Sequence, residues 1–342
     1  MIKVGISNKT RYWQHYVFTN PPEGYAYGRG LDTPWHILGL NDQFLLHTKY
    51  FLPIRKFDLF HTYNSIVVNN KPWVVEVESY LPRYKPMRED RRLFKWALDK
   101  LAAPNCKKII FTSEYTAGMN RDRLIENGVE PEKLTVVYRA VKRASSLAQE
   151  SDTFNILFVG NGFYRKGGME LLRAMKILKH KDIRLNIISR MEVDWAVFPS
   201  NDEKASIMDQ IEKDPRISLL GELPHDGVIE QMRNAHLFIG TTWSDPFNNT
   251  TLEAMACGTT VIGSNTSSFP EIVEDGKNGF LLDIDNLTRS YIAEIIAEKI
   301  ERLYTDQALF ESMANRSIEI AKAKFDIDVR NEKIKSIYGS FS

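Results

Sequence analysis

Cysteine is nearly absent: Cys106 and Cys257 are the only two in 342 residues, and they stand far apart in the chain. A disulfide framework is thereby excluded and a reducing compartment is expected, with both thiols serving as small packing residues. Long apolar runs are also missing. No segment approaches the ~20 residues that a membrane-crossing helix needs. The opening MIKVGISNKT has no long apolar stretch, so it reads as a first core strand and not as a secretory signal. No Cys and His residues recur at zinc spacing, so no metal site is expected. Repeats and low-complexity tracts are absent as well. Together these absences point to a cytoplasmic globular protein.

What is present is ordinary in amount and ordered in pattern. The chain is 43% hydrophobic and 26% charged, and its length suggests two domains. Its net charge of +1 conceals two unlike halves. Residues 1–150 hold 23 Lys and Arg against 15 Asp and Glu, whereas residues 151–342 hold 22 against 29. The sign change implies either different partners or mutual attraction across an interface.

Short β-rich runs alternate with helix-period segments, the pattern of βαβ units and parallel sheets. In the first half, strands are predicted at Ile2–Ser7, Phe57–Thr62, Trp73–Ser79, Lys108–Ser113 and Leu134–Arg139, with helices over Arg88–Ala103 and Tyr115–Asn127. In the second, strands are predicted at Asn155–Gly160, Arg184–Ile188, Ile217–Leu220, Leu237–Gly240, Val261–Ser264 and Phe280–Leu282. The helices between them cover Gly168–Lys179, Asp202–Lys213, Asp226–Asn234, Thr251–Cys257 and Ser290–Tyr304, and Ser312–Ser342 is helical and polar. The polar segment VKRASSLAQESDT, residues 141–153, interrupts the strands and marks a boundary. The fold class is α/β: two Rossmann-like domains whose parallel sheets face across a cleft, where open α/β sheets bind ligands.

Two motifs carry chemistry. In FVGNGFYRKGGMELLRAMKIL, residues 158–178, a strand ends at Gly160 and a helix opens at Gly167–Gly168. A helix N-terminus beside Arg165 and Lys166 offers amides and cations to a diphosphate; the plainer reading is a tight turn with a solvated basic pair. In TTWSDPFNNTTLEAMACGTTVIG, residues 241–263, Asp245 stands in a loop, and Asn248, Asn249, Thr250 and Thr251 open a helix that bears Glu253. A carboxylate accepts from two sugar hydroxyls at once. Thr250 to Glu253 also fits the T-x-x-E capping box, which would make Glu253 structural.

From Asn155 to about Ile284 the sequence resembles the nucleotide-binding half of family-four GT-B glycosyltransferases. The resemblance rests on Lys166-Gly167, on Asp245 followed after seven residues by Glu253-Ala254-Met255-Ala256-Cys257-Gly258, and on Phe269-Pro270-Glu271 and Asp275-Gly276-Lys277-Asn278-Gly279-Phe280. It implies a retaining, metal-independent transferase with no cofactor, which moves a sugar from a nucleoside-diphosphate sugar to a glycan, lipid-linked or small-molecule acceptor. By position, Lys166 and Arg165 hold the diphosphate, Asp245 contacts the donor sugar, Glu253 binds the ribose, and Asn248, Asn249, Thr250 and Thr251 serve the phosphates. Gly160, Arg190 and Leu223 complete the donor side, with the base near Ser189–Met191 and Gly221–Leu223. The implied domains are 1–147 for the acceptor, 148–325 for the donor, and a helix at 326–342 that packs back on the first. An epimerase of the same architecture and a non-catalytic nucleotide-sugar-binding subunit are the alternatives.

This chain departs from the pattern in places. Asp245 replaces a more usual Glu, and Asn248 and Asn249 stand where glycine is common. Asn161 stands where a basic residue is frequent, and the glycine pair after the first strand is missing. His61, Tyr63 and Asn64 are weak acceptor-side candidates. Glu76 and Glu78 are set to point one way from a buried strand, which demands basic partners or else marks an active-site role. His225 and His236 read as surface or capping groups. The run Arg83, Lys85, Arg88, Arg91, Arg92 and Lys95 is either a solvated helix face or a peripheral membrane contact. No nucleic-acid recognition motif appears.

Overall fold

A computed structural model describes residues 1–7, 16–32, 47–83, 92–141, 151–194, 197–245 and 247–341. Among the residues named above, Lys85, Arg88 and Arg91 of the basic run lie outside it, as do residues 142–150 of the boundary segment. The chain forms two compact units, one of residues 1–140 with 325–342, the other of residues 141–324.

Unit 1 contains β1 (Ile2–Ser7), α1 (Tyr16–Thr19), β2 (Tyr25–Gly30), β3 (Thr48–Lys49), β4 (Leu59–Tyr63), β5 (Ile66–Val67), β6 (Trp73–Val77), α2 (Arg92–Ala102), β7 (Cys106–Phe111), α3 (Glu114–Gly118), α4 (Arg121–Glu126) and β8 (Leu134–Val136). Six strands form a parallel sheet in the order β2-β1-β4-β6-β7-β8, and β3 pairs with β5 apart from it. β4 and β6 are buried at every position, as expected where both faces of a parallel sheet are covered. Helix α2 buries Phe94, Ala97, Leu98 and Leu101, one stripe at helical spacing.

Unit 2 contains β9 (Phe154–Val159), α5 (Gly168–Ile177), β10 (Ile183–Ile188), α6 (Asn201–Lys213), β11 (Ile217–Gly221), α7 (His225–Arg233), β12 (Leu237–Gly240), α8 (Asn249–Ala256), β13 (Thr260–Ser264), α9 (Phe269–Ile272), β14 (Gly279–Leu282), α10 (Arg289–Thr305) and α11 (Gln307–Lys324). Its parallel sheet runs β11-β10-β9-β12-β13-β14. Renumbered within the unit this is 3-2-1-4-5-6, the doubly wound order, whose direction reverses between β9 and β12. The core joins Ile156, Phe158, Leu185, Ile187, Leu237 and Ile239 of the sheet to Leu171 and Met175 of α5 and Ile292, Ile296 and Ile300 of α10. Each such side chain contributes ~1.5–3 kcal/mol by leaving water.

The last helix, α12 (Ile327–Gly339), belongs to unit 1. Asp326 caps its first turn. It buries Arg330, Ile334, Ile337 and Tyr338, and the last three join Val4, Ile6, Leu59, Val74 and Ile110 in one cluster. Arg330 Nη2 donates to Glu76 Oε2 at 2.7 Å, and Tyr338 Oη lies 2.6 Å from His61 Nδ1. Burial would raise the Glu76 carboxyl, but Arg330, His61 and Arg139 outweigh it and hold the group well below the usual carboxylate range.

Glu76 thus has the basic partner its position demanded. Glu78 lies beyond the end of β6, which stops at Val77, so it shares no strand face with Glu76. His61, Tyr63 and Asn64 are buried within the unit. Tyr63 is hydrogen-bonded by Arg139, and Asn64 accepts from the Glu78 amide at 3.0 Å. No helix among the described residues is long and apolar enough to cross a membrane.

Candidate donor site of unit 2

The reversal between β9 and β12 leaves a crevice at their carboxyl ends, because the loops after the two strands depart in opposite directions. Both motifs fall there. After β9 the backbone turns at Gly160, whose φ of 152° suits glycine and whose missing Cβ leaves room for Lys166: a Cβ would stand 2.5 Å from Lys166 Cδ. At Gly167 φ is 82°, and a Cβ would stand 2.2 Å from Thr241 Oγ1 and 2.3 Å from Thr241 O. Only glycine lets the loop after β12 cross so near the start of α5. The amide of Trp243 closes the crossing by donating to Arg165 O at 2.9 Å.

The charges at this crossing are paired, half-buried and balanced. Lys166 Nζ donates to Asp245 Oδ2 at 2.9 Å, with side chains 16% and 14% exposed. Arg165 Nε donates to Asp194 Oδ2 at 2.6 Å, while its Nη1 reaches Ser244 O and lies 3.9 Å from Asp245 Oδ2. Two cations therefore meet two carboxylates. The Asn161 side chain, in the place of a more usual basic residue, accepts from the Arg190 amide at 3.2 Å and fixes the loop after β10.

Helix α8 opens at the same edge. Its N-cap is Asn248, whose side chain accepts from the Thr251 amide at 3.1 Å and from the Thr250 hydroxyl. Asn249 and Thr250 are thus the first two helical residues, and their amides have no acceptor within the helix. The cap at Asn248 corrects the T-x-x-E expectation. Asn caps better than Thr, so the helix starts earlier, Glu253 falls two places past the capping position, and no capping box forms. Glu253 instead turns to α7: its Oε1 lies 3.0 Å from His225 Nε2. Burial opposes a charge on His225, but the hydrogen bond to Glu253 is the larger influence and raises the pKa of the imidazole.

Arg190 and Leu223 stand after β10 and β11 on the same edge of the sheet. Arg190 pairs with Glu192 at 3.1 Å and approaches Glu222 at 3.8 Å, and Leu223 is half-buried. Sequence reasoning missed Asp194 at this edge and read His225 as a surface or capping group. His236 lies elsewhere: its Nδ1 accepts from the Asn155 amide at 3.0 Å and its ring stacks on Phe154, a structural role. No three His, Cys, Asp or Glu side chains that could share a metal ion come together among the described residues.

The family model described as "Glycosyl transferases group 1" matches residues 142–324. The chain belongs to that family. Among curated relatives it is similar to the capsular polysaccharide biosynthesis glycosyltransferase CapM of Staphylococcus aureus, 26% identical over 193 residues, which cover 56% of this chain and 47% of that one. It is also similar to a D-inositol 3-phosphate glycosyltransferase of Paenarthrobacter aurescens, 27% identical over 208 residues, 59% of this chain and 47% of that one. A 41.2 kDa protein in the cps region of Klebsiella pneumoniae is 24% identical over 282 residues, 74% and 73% of the two chains. The chain spans about half the length of the first two. Among solved structures, Anabaena HepE in complex with UDP-glucose aligns over 100% of both chains with a TM-score of 0.65 at 17% identity. Sucrose-phosphate synthase from Thermosynechococcus elongatus aligns over 99% of both with a TM-score of 0.68 at 16% identity. The fold of the chain is therefore GT-B.

Proposed function

We propose that the chain is a retaining, metal-independent glycosyltransferase that takes its sugar from a nucleoside-diphosphate sugar through the crevice of unit 2. The observation that carries this reading is the convergence of Lys166, Arg165, Asp245 and the open end of α8 at the reversal of the sheet. An entering diphosphate exchanges with Asp245 for Lys166, and the freed Asp245 carboxylate turns to the sugar hydroxyls. Arg165, held by Asp194, keeps its fork aimed at the phosphates, and the amides of Asn249 and Thr250 add donors. These groups stabilise the negative charge that develops on the leaving diphosphate, which is where preorganised donors accelerate a reaction most. Glu253 accepts from the ribose, and the loops carrying Arg190 and Leu223 flank the base. The relatives from capsular polysaccharide synthesis and a cps region favour a glycan precursor as acceptor.

The reading is tested by thermal shift with UDP-, GDP- and ADP-sugars. A ligand at 100 times its Kd adds about 2.7 kcal/mol of stability. One of the three raises the Tm of the native protein, and Lys166→Ala loses that shift while keeping the ligand-free Tm. Failure of all three nucleotide sugars, or an undiminished shift in the variant, overturns the proposal.

A further inference from the structure

Glu253 is held at one oxygen and open at the other. Its Oε1 lies 3.0 Å from His225 Nε2, whereas Oε2 has no protein partner among the described residues and the side chain stays 20% exposed. His225 is itself 68% exposed and is the first residue of α7, so the contact joins the start of α7 to the middle of α8. Nothing in the packing of the core requires this pair. An ionised carboxylate accepts about four hydrogen bonds, and fixing one oxygen from outside sets which way the other faces.

We propose that His225 is a positioning residue for the donor: it fixes the Glu253 carboxylate so that Oε2 is presented to the ribose diol of the nucleotide. The inference rests on the reading of Glu253 as the ribose acceptor. The charged groups acting on the imidazole are Glu253 from α8 and Asp226 from α7. Both favour imidazolium, so the positioning contact is complete below the ordinary histidine range. It weakens as pH rises through the elevated value of His225.

The test is calorimetric titration of UDP, GDP and ADP, each beside its 2′,3′-dideoxy form, into the full chain, His225→Ala and Glu253→Ala. The native protein should prefer the ribose form. His225→Ala should bind the ribose nucleotide about three- to tenfold more weakly and the dideoxy nucleotide unchanged, and this difference should shrink between pH 6 and pH 8.5. A ribose affinity in His225→Ala equal to the native value, or an equal loss for both nucleotides, overturns the proposal. A Glu253→Ala protein that keeps its preference for ribose refutes the underlying assignment of Glu253 instead. If none of the three nucleotides binds the native protein, the nucleotide-sugar reading itself falls.

Discussion

In unit 1 the carboxylate of Glu76 lies 2.7 Å from Arg330, and neither side chain exceeds 2% exposure; in unit 2 the carboxylate of Asp245 lies 2.9 Å from Lys166, with 14% and 16% exposed. The two distances are nearly the same and the two pairs do different work. Removing an ion from water costs several kcal/mol, so a fully buried pair exists only while each partner holds the other. At the edge of a sheet water still reaches the groups, and one partner can be traded for a ligand of the same charge. On the proposed function, burial more than separation divides the pair that closes the fold from the pair that awaits a substrate.

Substitutions can break this comparison. Arg330→Met should have the largest effect on stability, about 3–5 kcal/mol, because it removes the nearest cation from the buried Glu76 and leaves only His61 and Arg139 to offset its burial; chemical denaturation of the full chain measures it. The sign with pH is distinctive. In the native protein Glu76 is held low, so its contribution is present above the unfolded carboxylate value of ~4.3 and is lost as pH falls through the still lower folded value. In the variant the carboxyl loses its strongest charge partner and rises, and acid relieves it. The gap between the two proteins should therefore narrow from pH 7 towards pH 4, and a constant gap would contradict the account.

Gly167→Ala comes next, at about 2 kcal/mol for a left-handed residue driven into Thr241. It should also displace Lys166 and weaken nucleotide binding, which Arg330→Met leaves alone. Asn248→Ala should cost about 1 kcal/mol as a lost cap and lower the Tm by a few degrees. Smallest is Glu253→Gln. Without a capping box it should leave the ligand-free Tm within about a degree, since an exposed ion pair contributes ~0–1 kcal/mol. Its ribose-nucleotide affinity should still fall about tenfold, the loss of ~1.4 kcal/mol from a charged acceptor. A variant with an unchanged affinity would return Glu253 to a purely structural role.

Much of the fold was legible because parallel strands announce themselves as apolar runs. Ile2–Ser7 and Leu237–Gly240 fall where their sequences predicted, and the other predicted strands overlap observed ones. β2 escaped notice because YAYGRG mixes aromatics and glycines without an apolar run. The predicted helix Tyr115–Asn127 divides into α3 and α4 at Asn120, a buried side chain whose amide group bonds Leu81 N, Ser79 O and Thr116 O. The polar tail divides at Asp326, the N-cap of α12. In the site, Lys166, Asp245 and Glu253 could be read because they lie inside ordered motifs. Asp194 stands in a loop and His225 at the first position of α7, in stretches that carry no motif, and only the order of strands brings them near.

The connection between Glu76 and Arg330 joins residues 254 positions apart, with all of unit 2 encoded between them. At ~5–20 residues per second of synthesis, about 13–50 seconds separate the appearance of the two partners on a ribosome. Throughout that interval unit 2 can complete its own sheet, whereas the sheet of unit 1 holds Glu76 without its Arg330 partner. Unit 2 is therefore expected to finish its sheet before unit 1, where Glu76 gains its Arg330 partner only when the first turn of α12 packs.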